Sequence, residues 1–234
     1  MAAGGKDRLG ILVHGCHLMA DGWEDIVWGR PPEELGRLPH AALLAWEERE
    51  RLELLCLGTG ASKSPAGELE ADATLAFLLA RVERLKDFRA FDGVPLDALA
   101  VLLRKSCVTD VGSQNTNQEV REALSRFTAA GCDCAMLISS PTHLPRCLAS
   151  ACAEMQKDPR LFTGSLLASP CDTSYRGYTA ADVVVVEPPH RGDRDRALDE
   201  RPFHTMVQRS FRIAPDRRAR FLTQFKELLE TYEV

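Results

Sequence analysis

The chain has 234 residues, 45% of them hydrophobic, which is long enough for one α/β domain that buries roughly 70% of its unfolded surface. A formal net charge of −5 and a pI near 5.7 argue against a nucleic-acid-binding protein, because basic residues are not in excess. No run of about 18 apolar residues occurs, so we expect a cytoplasmic protein that does not bind or span a membrane.

Apolar runs in the sequence predict four buried β-strands, at about residues 9–14, 52–58, 133–139 and 182–187. Helical patterns predict helices over about 32–51, 67–86 and 117–130, and an amphipathic helix from Ala214 to the C-terminus. Nearly continuous apolar strands that alternate with helices are typical of a parallel sheet covered on both faces. The sequence therefore predicts a Rossmann-like three-layer α/β/α sandwich with a mainly parallel sheet, formed as one domain by residues 1–234.

Two later segments predict irregular structure. Residues 169–181 are rich in Ser, Thr, Tyr and Gly, which indicates a long loop before the last strand. Residues 187–201 combine prolines with many charges of both signs, so we expect a solvated loop or a lid.

Polar residues and glycines follow the first three predicted strands. They are His14 and Gly15, then Gly58, Thr59 and Gly60, and finally Ser139, Ser140, His143 and Arg146. In open α/β sheets, ligands bind beyond the carboxyl ends of the strands, because loop side chains and helix N-termini converge there. We therefore expect one pocket lined by Gly15, Gly60, Glu70, Asn115, Thr116, Ser140, His143 and Arg146.

Two phosphate-binding motifs are incomplete in this chain. Lys63-Ser64 follows a strand and glycines, as in a P-loop, but Ser62 stands where that motif needs glycine, and Pro65 interrupts the helix that should follow. Lys63 also occupies the place of the third glycine of the dinucleotide fingerprint. Neither motif therefore predicts a nucleotide site.

The histidines and cysteines do not form paired ligands at the spacing of a zinc site. His14, Cys16 and His17 are suitable donors but lack a second pair, and Cys132 and Cys134 simply alternate along a strand. We expect no metal cofactor and reduced, mostly buried thiols.

The polar turns, in chain order, resemble the YdcF/SanA/ElyC-like family. The resemblance covers about residues 9–155 and rests on Ile11 to Gly15, Arg37-Leu38 with Ala41 to Ala45, Gly58 to Gly60, Glu70-Ala71, Ser113 to Glu119, and Ser139-Ser140 with His143 to Arg146. Residues 160–234, which carry no family motif, are expected to complete the sheet and add helices. The chain departs from the family at His14 and at Gln118-Glu119, where a Glu-Asn pair is usual.

Because some members of that family bind S-adenosylmethionine, the resemblance implies a small-molecule enzyme with a nucleotide-like cofactor, acting as a transferase or lyase. The candidate catalytic residues are Glu70, His143 and Arg146. The candidate cofactor-binding residues are His14, Gly15, Gly58, Thr59, Gly60, Asn115, Thr116, Ser139 and Ser140.

The residue types suggest how such a site works. Arg146 is suited to clamp a carboxylate or phosphate, and His143 to act as a general acid or base, since its unperturbed pKa is about 6.5. Glu70 would bind a ribose hydroxyl or an amine, or pair with Arg37. Each residue also has a structural interpretation. Glu70 fits an exposed position in the first turn of a helix, and Asn115 and Thr116 fit a helix cap. His143 fits a helix start, and Arg146 fits an exposed surface.

Three classes of function are compatible with the sequence. The first is an enzyme with a nucleotide-like cofactor such as S-adenosylmethionine. The second is a cofactor-free hydrolase or transferase, with His143 as acid or base and Arg146 as anion clamp. The third is a ligand-binding protein without turnover. All three have a small molecule as the partner.

Overall fold

The computed structural model describes residues 7–59, 62–175, 177, 183 and 215–231. Its strands are β1 (Leu9–Val13), β2 (Gly29–Arg30), β3 (Glu34–Leu35), β4 (Leu52–Leu57), β5 (Cys107–Thr109), β6 (Cys134–Ser139) and β7 (Ser165–Pro170). Its helices are α1 (Trp23–Val27), α2 (Arg37–Glu47), α3 (Glu70–Ala80), α4 (Leu96–Ser106), α5 (Thr116–Ala129), α6 (Leu144–Lys157) and α7 (Pro215–Thr231). Two 3-10 helices, Val82–Asp87 and Arg89–Phe91, lie between α3 and α4.

Five strands form one wholly parallel sheet in the order β5-β4-β1-β6-β7, and β2 and β3 form a separate antiparallel pair. The chain runs outward from β1 through β4 to β5, and then crosses back to place β6 on the other side of β1. The strand order therefore reverses between β1 and β6. In doubly wound sheets this reversal opens a crevice beyond the strand ends, which is the usual place for a ligand.

Two apolar cores cover the two faces of the sheet. Alternate side chains of β1 divide between them, so that Ile11 packs with α2, α3 and α4, whereas Leu12 packs with α5 and α6. On the second face, the ring of Phe127 from α5 occupies the space that a Cβ on Gly10 would need. A glycine at this position therefore lets α5 lie close to the central strand.

The predicted α/β/α sandwich with a parallel sheet is confirmed, and β1, β4 and β6 end within one residue of the predicted bounds. The predicted helix over 32–51 is too long, because the β2–β3 hairpin uses its first residues. The predicted helix over 67–86 is wrong beyond Ala80, where the chain turns into a 3-10 helix.

After residue 160, one predicted element differs from the structure and another is confirmed. The loop predicted over 169–181 begins too early, because Ser169 and Pro170 complete the edge strand β7. The predicted C-terminal helix is confirmed as α7. The predicted strand over 182–187, apart from residue 183, and the charged segment over 187–201 lie outside the described residues. No helix in the described ranges is both long and apolar enough to cross a membrane.

Candidate functional site

A cavity of about 360 Å³ opens at the carboxyl ends of β1, β4 and β6. This volume lies within the range of small-molecule sites. The cavity is lined by the turns after these strands and by the starts of α3, α5 and α6. Its lining residues are Gly15, His17, Thr59, Glu70, Asn115, Thr116, Glu119, His143, Arg146 and Tyr175.

Most residues of the expected pocket line this cavity. Those that do are Gly15, Glu70, Asn115, Thr116, His143 and Arg146. Ser140 is fully buried behind the wall, and Gly60 lies outside the described residues. Of the other cofactor-binding candidates, Thr59 lines the cavity, whereas His14 and Ser139 are buried next to it.

His143 lies between Ser139 and Arg146 at the start of α6. Arg146 Nη2 donates to His143 Nε2 at 2.6 Å, so Nδ1 carries the ring proton and donates to Ser139 Oγ at 2.8 Å. Burial lowers the pKa of His143 well below its ordinary value, and the charges of Arg146, Arg37 and His14 lower it further. The imidazole is therefore neutral at pH 7, whereas an imidazole with the unperturbed pKa of about 6.5 would be partly protonated at that pH.

Glu119 forms a buried network with the turn after β1. Its Oε2 is hydrogen-bonded to His14 Nδ1, and its Oε1 accepts from the Gly15 N–H at 2.8 Å. Burial lowers the pKa of His14, but the interactions with Cys147 and Glu119 outweigh burial and raise it to about 10. His14 and Glu119 thus form a buried imidazolium–carboxylate pair.

Gly58 provides the room for this network. The Glu119 carboxylate occupies the space that a Cβ at position 58 would need, so the turn after β4 and the start of α5 approach each other only with glycine here. This assigns Gly58 a structural role behind the cavity wall.

Glu70 closes the loop between β4 and α3. The Ser62 hydroxyl donates to Glu70 Oε2, and the Glu70 N–H donates back to the Ser62 carbonyl at 3.1 Å. The Leu18 N–H also donates to Ser62 Oγ at 3.0 Å, which ties this loop to the segment after β1. Glu70 lies in the first turn of α3, as its structural interpretation expects, but it is fully buried rather than exposed, and it also lines the cavity. Glu70 is thus hydrogen-bonded to Ser62 and not to Arg37, the partner that the sequence suggested.

Asn115 caps α5, as its structural interpretation expects, and it also lines the cavity. Its Oδ1 accepts from the Gln118 N–H at 3.0 Å. Asn115→Ala should therefore lower the free energy of unfolding by about 1 kcal/mol, whereas Asn115→Asp keeps an acceptor and should cost much less. Urea unfolding of the two variants measures the difference. Equal losses would show that the cap contributes nothing to stability.

Three lining residues were not among the sequence candidates. Glu119 lies three residues after Thr116 on the same face of α5, a periodic signal that could have found it. His17 was considered only as a metal donor. Tyr175 lies in a segment predicted as loop, and burial raises the pKa of its hydroxyl, which keeps it protonated.

Across the described ranges, no three His, Cys, Asp or Glu side chains are arranged to hold a metal ion. The absence of a metal cofactor remains a prediction that elemental analysis can check. All eight cysteines are free, and Cys152 is the one that is exposed. Comparisons of the chain with protein-family models, with curated proteins and with solved structures found no match.

Proposed function

We propose that this protein is a small-molecule enzyme that binds a nucleoside-like ligand in the cavity, with S-adenosylmethionine as the leading candidate. The observation that carries the proposal is the position of the cavity at the strand-order reversal of a doubly wound sheet, where such folds hold nucleotides. The reaction class that fits is group transfer or a lyase reaction.

The chemistry of the cavity wall supports a ligand of mixed polarity. Glu70 and Glu119 are carboxylates that can accept hydrogen bonds from ribose hydroxyls or from an amine. Arg146 supplies a guanidinium for a carboxylate or phosphate, and its Nη2 lies 3.4 Å from Thr116 Oγ1 at the start of α5. Adenosylmethionine carries hydroxyls, an ammonium and a carboxylate, and so matches all of these groups.

His143 supports catalysis that depends on the ligand. The positive charge of Arg146 is one cause of the low pKa of His143. An anionic ligand group that binds Arg146 offsets this charge, so the pKa of His143 rises and the imidazole becomes a stronger base. In the same step Arg146 exchanges its hydrogen bond to His143 Nε2 for bonds to the ligand. The freed Nε2 then accepts a proton from the reacting group.

A second candidate function is a cofactor-free hydrolase or transferase. The observation that favours it is the direct bond between Arg146 and His143, which already joins an anion clamp to a base. Here the substrate itself, such as a sugar phosphate, brings the anion. A ligand-binding protein without turnover is the third candidate.

Membership of the YdcF/SanA/ElyC-like family is part of the same proposal. It is supported by the position of the quoted turns, since Gly15, Glu70, Thr116 and Arg146 all lie around one cavity. A cytoplasmic location, a small molecule as the partner and no binding to nucleic acid also remain predictions. Cell fractionation and a filter-binding assay with DNA and RNA can check the location and the lack of nucleic-acid binding.

A thermal-shift screen tests the ligand class. The compounds are S-adenosylmethionine, S-adenosylhomocysteine, adenine nucleotides and sugar phosphates. A ligand at about 100 times its Kd should add about 2.7 kcal/mol to the stability of the protein. Stabilisation by the adenosyl compounds supports the first function, and stabilisation by sugar phosphates alone supports the second. If no compound stabilises the protein, both ligand classes are wrong.

Substitution of the two residues at the start of α6 separates binding from chemistry. Arg146→Ala should weaken an anionic ligand by about 2 kcal/mol or more, because a charge-assisted contact is lost. Arg121→Ala is the matched control, since Arg121 is half-exposed on α5 and pairs with Glu154. Calorimetric titration of the ligand identified by the screen measures both.

His143→Gln should leave binding nearly normal and reduce turnover by about 100-fold or more if His143 moves a proton. A variant with unchanged turnover would limit His143 to holding Arg146 in place. Unchanged ligand affinity in Arg146→Ala would remove Arg146 from the site.

A further inference from the structure

Arg37 is a cation buried behind the cavity wall. Its side chain is at the first position of α2, and the residue is 1% exposed. Nη1 donates to the carbonyl oxygens of His14 and Gly15 at 3.0 and 2.5 Å, whereas Nε and Nη2 donate to Ser140 Oγ at 3.2 and 3.0 Å. These partners are carbonyl and hydroxyl oxygens, which carry no formal charge.

A buried charge without an opposite charge is costly, because the protein interior replaces strong hydration with weaker solvation. Within residues 7–59, 62–175 and 215–231, no carboxylate lies within ion-pair distance of Arg37. The two carboxylates that line the cavity have other partners, since Glu70 binds Ser62 and Glu119 binds His14.

Two titratable neighbours of Arg37, the Cys16 thiol and the Tyr175 hydroxyl, do not provide the missing negative charge. Burial raises the pKa of the Cys16 thiol, and it raises the pKa of the Tyr175 hydroxyl as well. Both groups are therefore neutral at pH 7. The guanidinium remains charged, since the pKa of Arg37 is raised above its already high ordinary value, although burial alone would lower it.

Arg37 lies directly behind the cavity. Gly15, which accepts one of its hydrogen bonds, lines the cavity, and so does Tyr175, whose ring centroid lies 5.8 Å from Arg37 Cζ. Its bonds to Ser140 also reach the turn that leads to His143. In a poorly hydrated site, a charge at this depth acts on the cavity with little screening.

We propose that the ligand of this cavity carries an anionic group, a carboxylate or a phosphate, and that Arg37 is the positioning residue whose buried charge selects it. The inference rests on the proposed function, because it concerns the same cavity, and it adds the chemical class of the ligand. Arg37 acts through the turn after β1 and through its electrostatic field, whereas Arg146 is placed to touch the anion. The opposite expectation is that Arg37 only ties the turns after β1 and β6 together.

Matched ligand pairs on the wild-type protein test the inference by calorimetric titration. The carboxylate arm compares S-adenosylmethionine with decarboxylated S-adenosylmethionine. The phosphate arms compare AMP with adenosine, and ribose 5-phosphate with ribose. In at least one arm the anionic compound should bind about tenfold or more tightly than its partner, with an advantage that shrinks as salt is added. The arm that responds identifies the source of the anion.

The outcomes separate this inference from the proposed function. If adenosyl compounds bind but no pair in any arm shows a preference for its anionic member, the inference is overturned and the nucleoside proposal stands. Binding of ribose 5-phosphate but not ribose, with no adenosyl compound bound, supports the inference and overturns the nucleoside proposal. If no compound in any arm binds, both are wrong.

Variants of Arg37 then test whether its charge selects the anionic ligand. Arg37→Lys keeps the charge, whereas Arg37→Gln keeps hydrogen-bond donors and loses the charge. Arg37→Gln should lose about tenfold of the preference for the anionic compound, and Arg37→Lys should keep most of it. If both variants show the same preference for the anionic compound, the role of Arg37 is only to hold the turns after β1 and β6 together by hydrogen bonds. Circular dichroism verifies the fold of each variant, and if Arg37→Gln does not fold, the wild-type pairs still decide the ligand class.

Discussion

Replacement of Glu119 by alanine is expected to lower the free energy of unfolding by about 3 to 5 kcal/mol, because it leaves the buried His14 imidazolium without its carboxylate partner. The variant also removes the acceptor of the Gly15 N–H. Urea unfolding followed by circular dichroism measures the loss. We expect this to be the largest loss of folding stability caused by any of the single substitutions predicted for the site.

Glu122→Ala is the matched control for this prediction. Glu122 lies on the same helix, but its side chain is only half-buried and pairs with Arg126 one turn later. Such a surface pair contributes less than about 1 kcal/mol. Similar losses in the two variants would contradict the buried imidazolium–carboxylate pair.

The pH dependence of stability gives a second check on this pair. Because the pKa of His14 is raised in the folded protein, the pair contributes fully below the unfolded pKa of about 6.5. The contribution is lost as the pH rises toward the folded pKa of about 10. The stability difference between the wild type and Glu119→Ala should therefore shrink over this window. A constant difference would indicate that His14 is neutral.

Gly58→Ala is expected to lower the free energy of unfolding by about 2 to 3 kcal/mol, because the new methyl group meets the Glu119 carboxylate. Gly112→Ala is the control, since the nearest atom to a Cβ there is Asp110 Oδ1 at 3.9 Å. The same urea experiment compares the two. Equal, small losses would mean that Glu119 can move aside at little cost.

A double variant sharpens this second prediction. In Gly58→Ala with Glu119→Ala, the clash is absent, so the combined loss should be smaller than the sum of the single losses. Additive losses would show that position 58 does not contact Glu119.

The central strands of the sheet were predictable because they are covered on both faces. β1 and β6 are buried along their whole length and read as continuous apolar runs. β7 is an edge strand with mostly exposed or half-buried residues, and β5 has three residues, so neither leaves an apolar run in the sequence. The strand order therefore could not be deduced from the sequence alone.

The parts of the site that come from turns after strands could be predicted from the sequence, whereas the parts that depend on side-chain packing could not. Turns after strands converge in any parallel sheet, which is why Gly15, Thr59 and His143 were found. Glu119 and Arg37 carry charge on helices, and in a sequence such residues look like solvated surface. Their burial depends on residues that are distant in the sequence. Glu119, for example, fits behind the cavity wall because Gly58 has no Cβ, and no local sequence pattern indicates this.

The central position of β1 has a consequence for synthesis of the chain. β1 can pair with β4 as soon as the first strand–helix–strand unit has been made, because β4 follows α2 directly. Its other edge stays open until β6 emerges, long after β5. During that interval the nascent protein exposes an apolar strand edge that can pair with another chain. The period between completion of β4 and arrival of β6 is thus the stage at which this protein is most prone to aggregate.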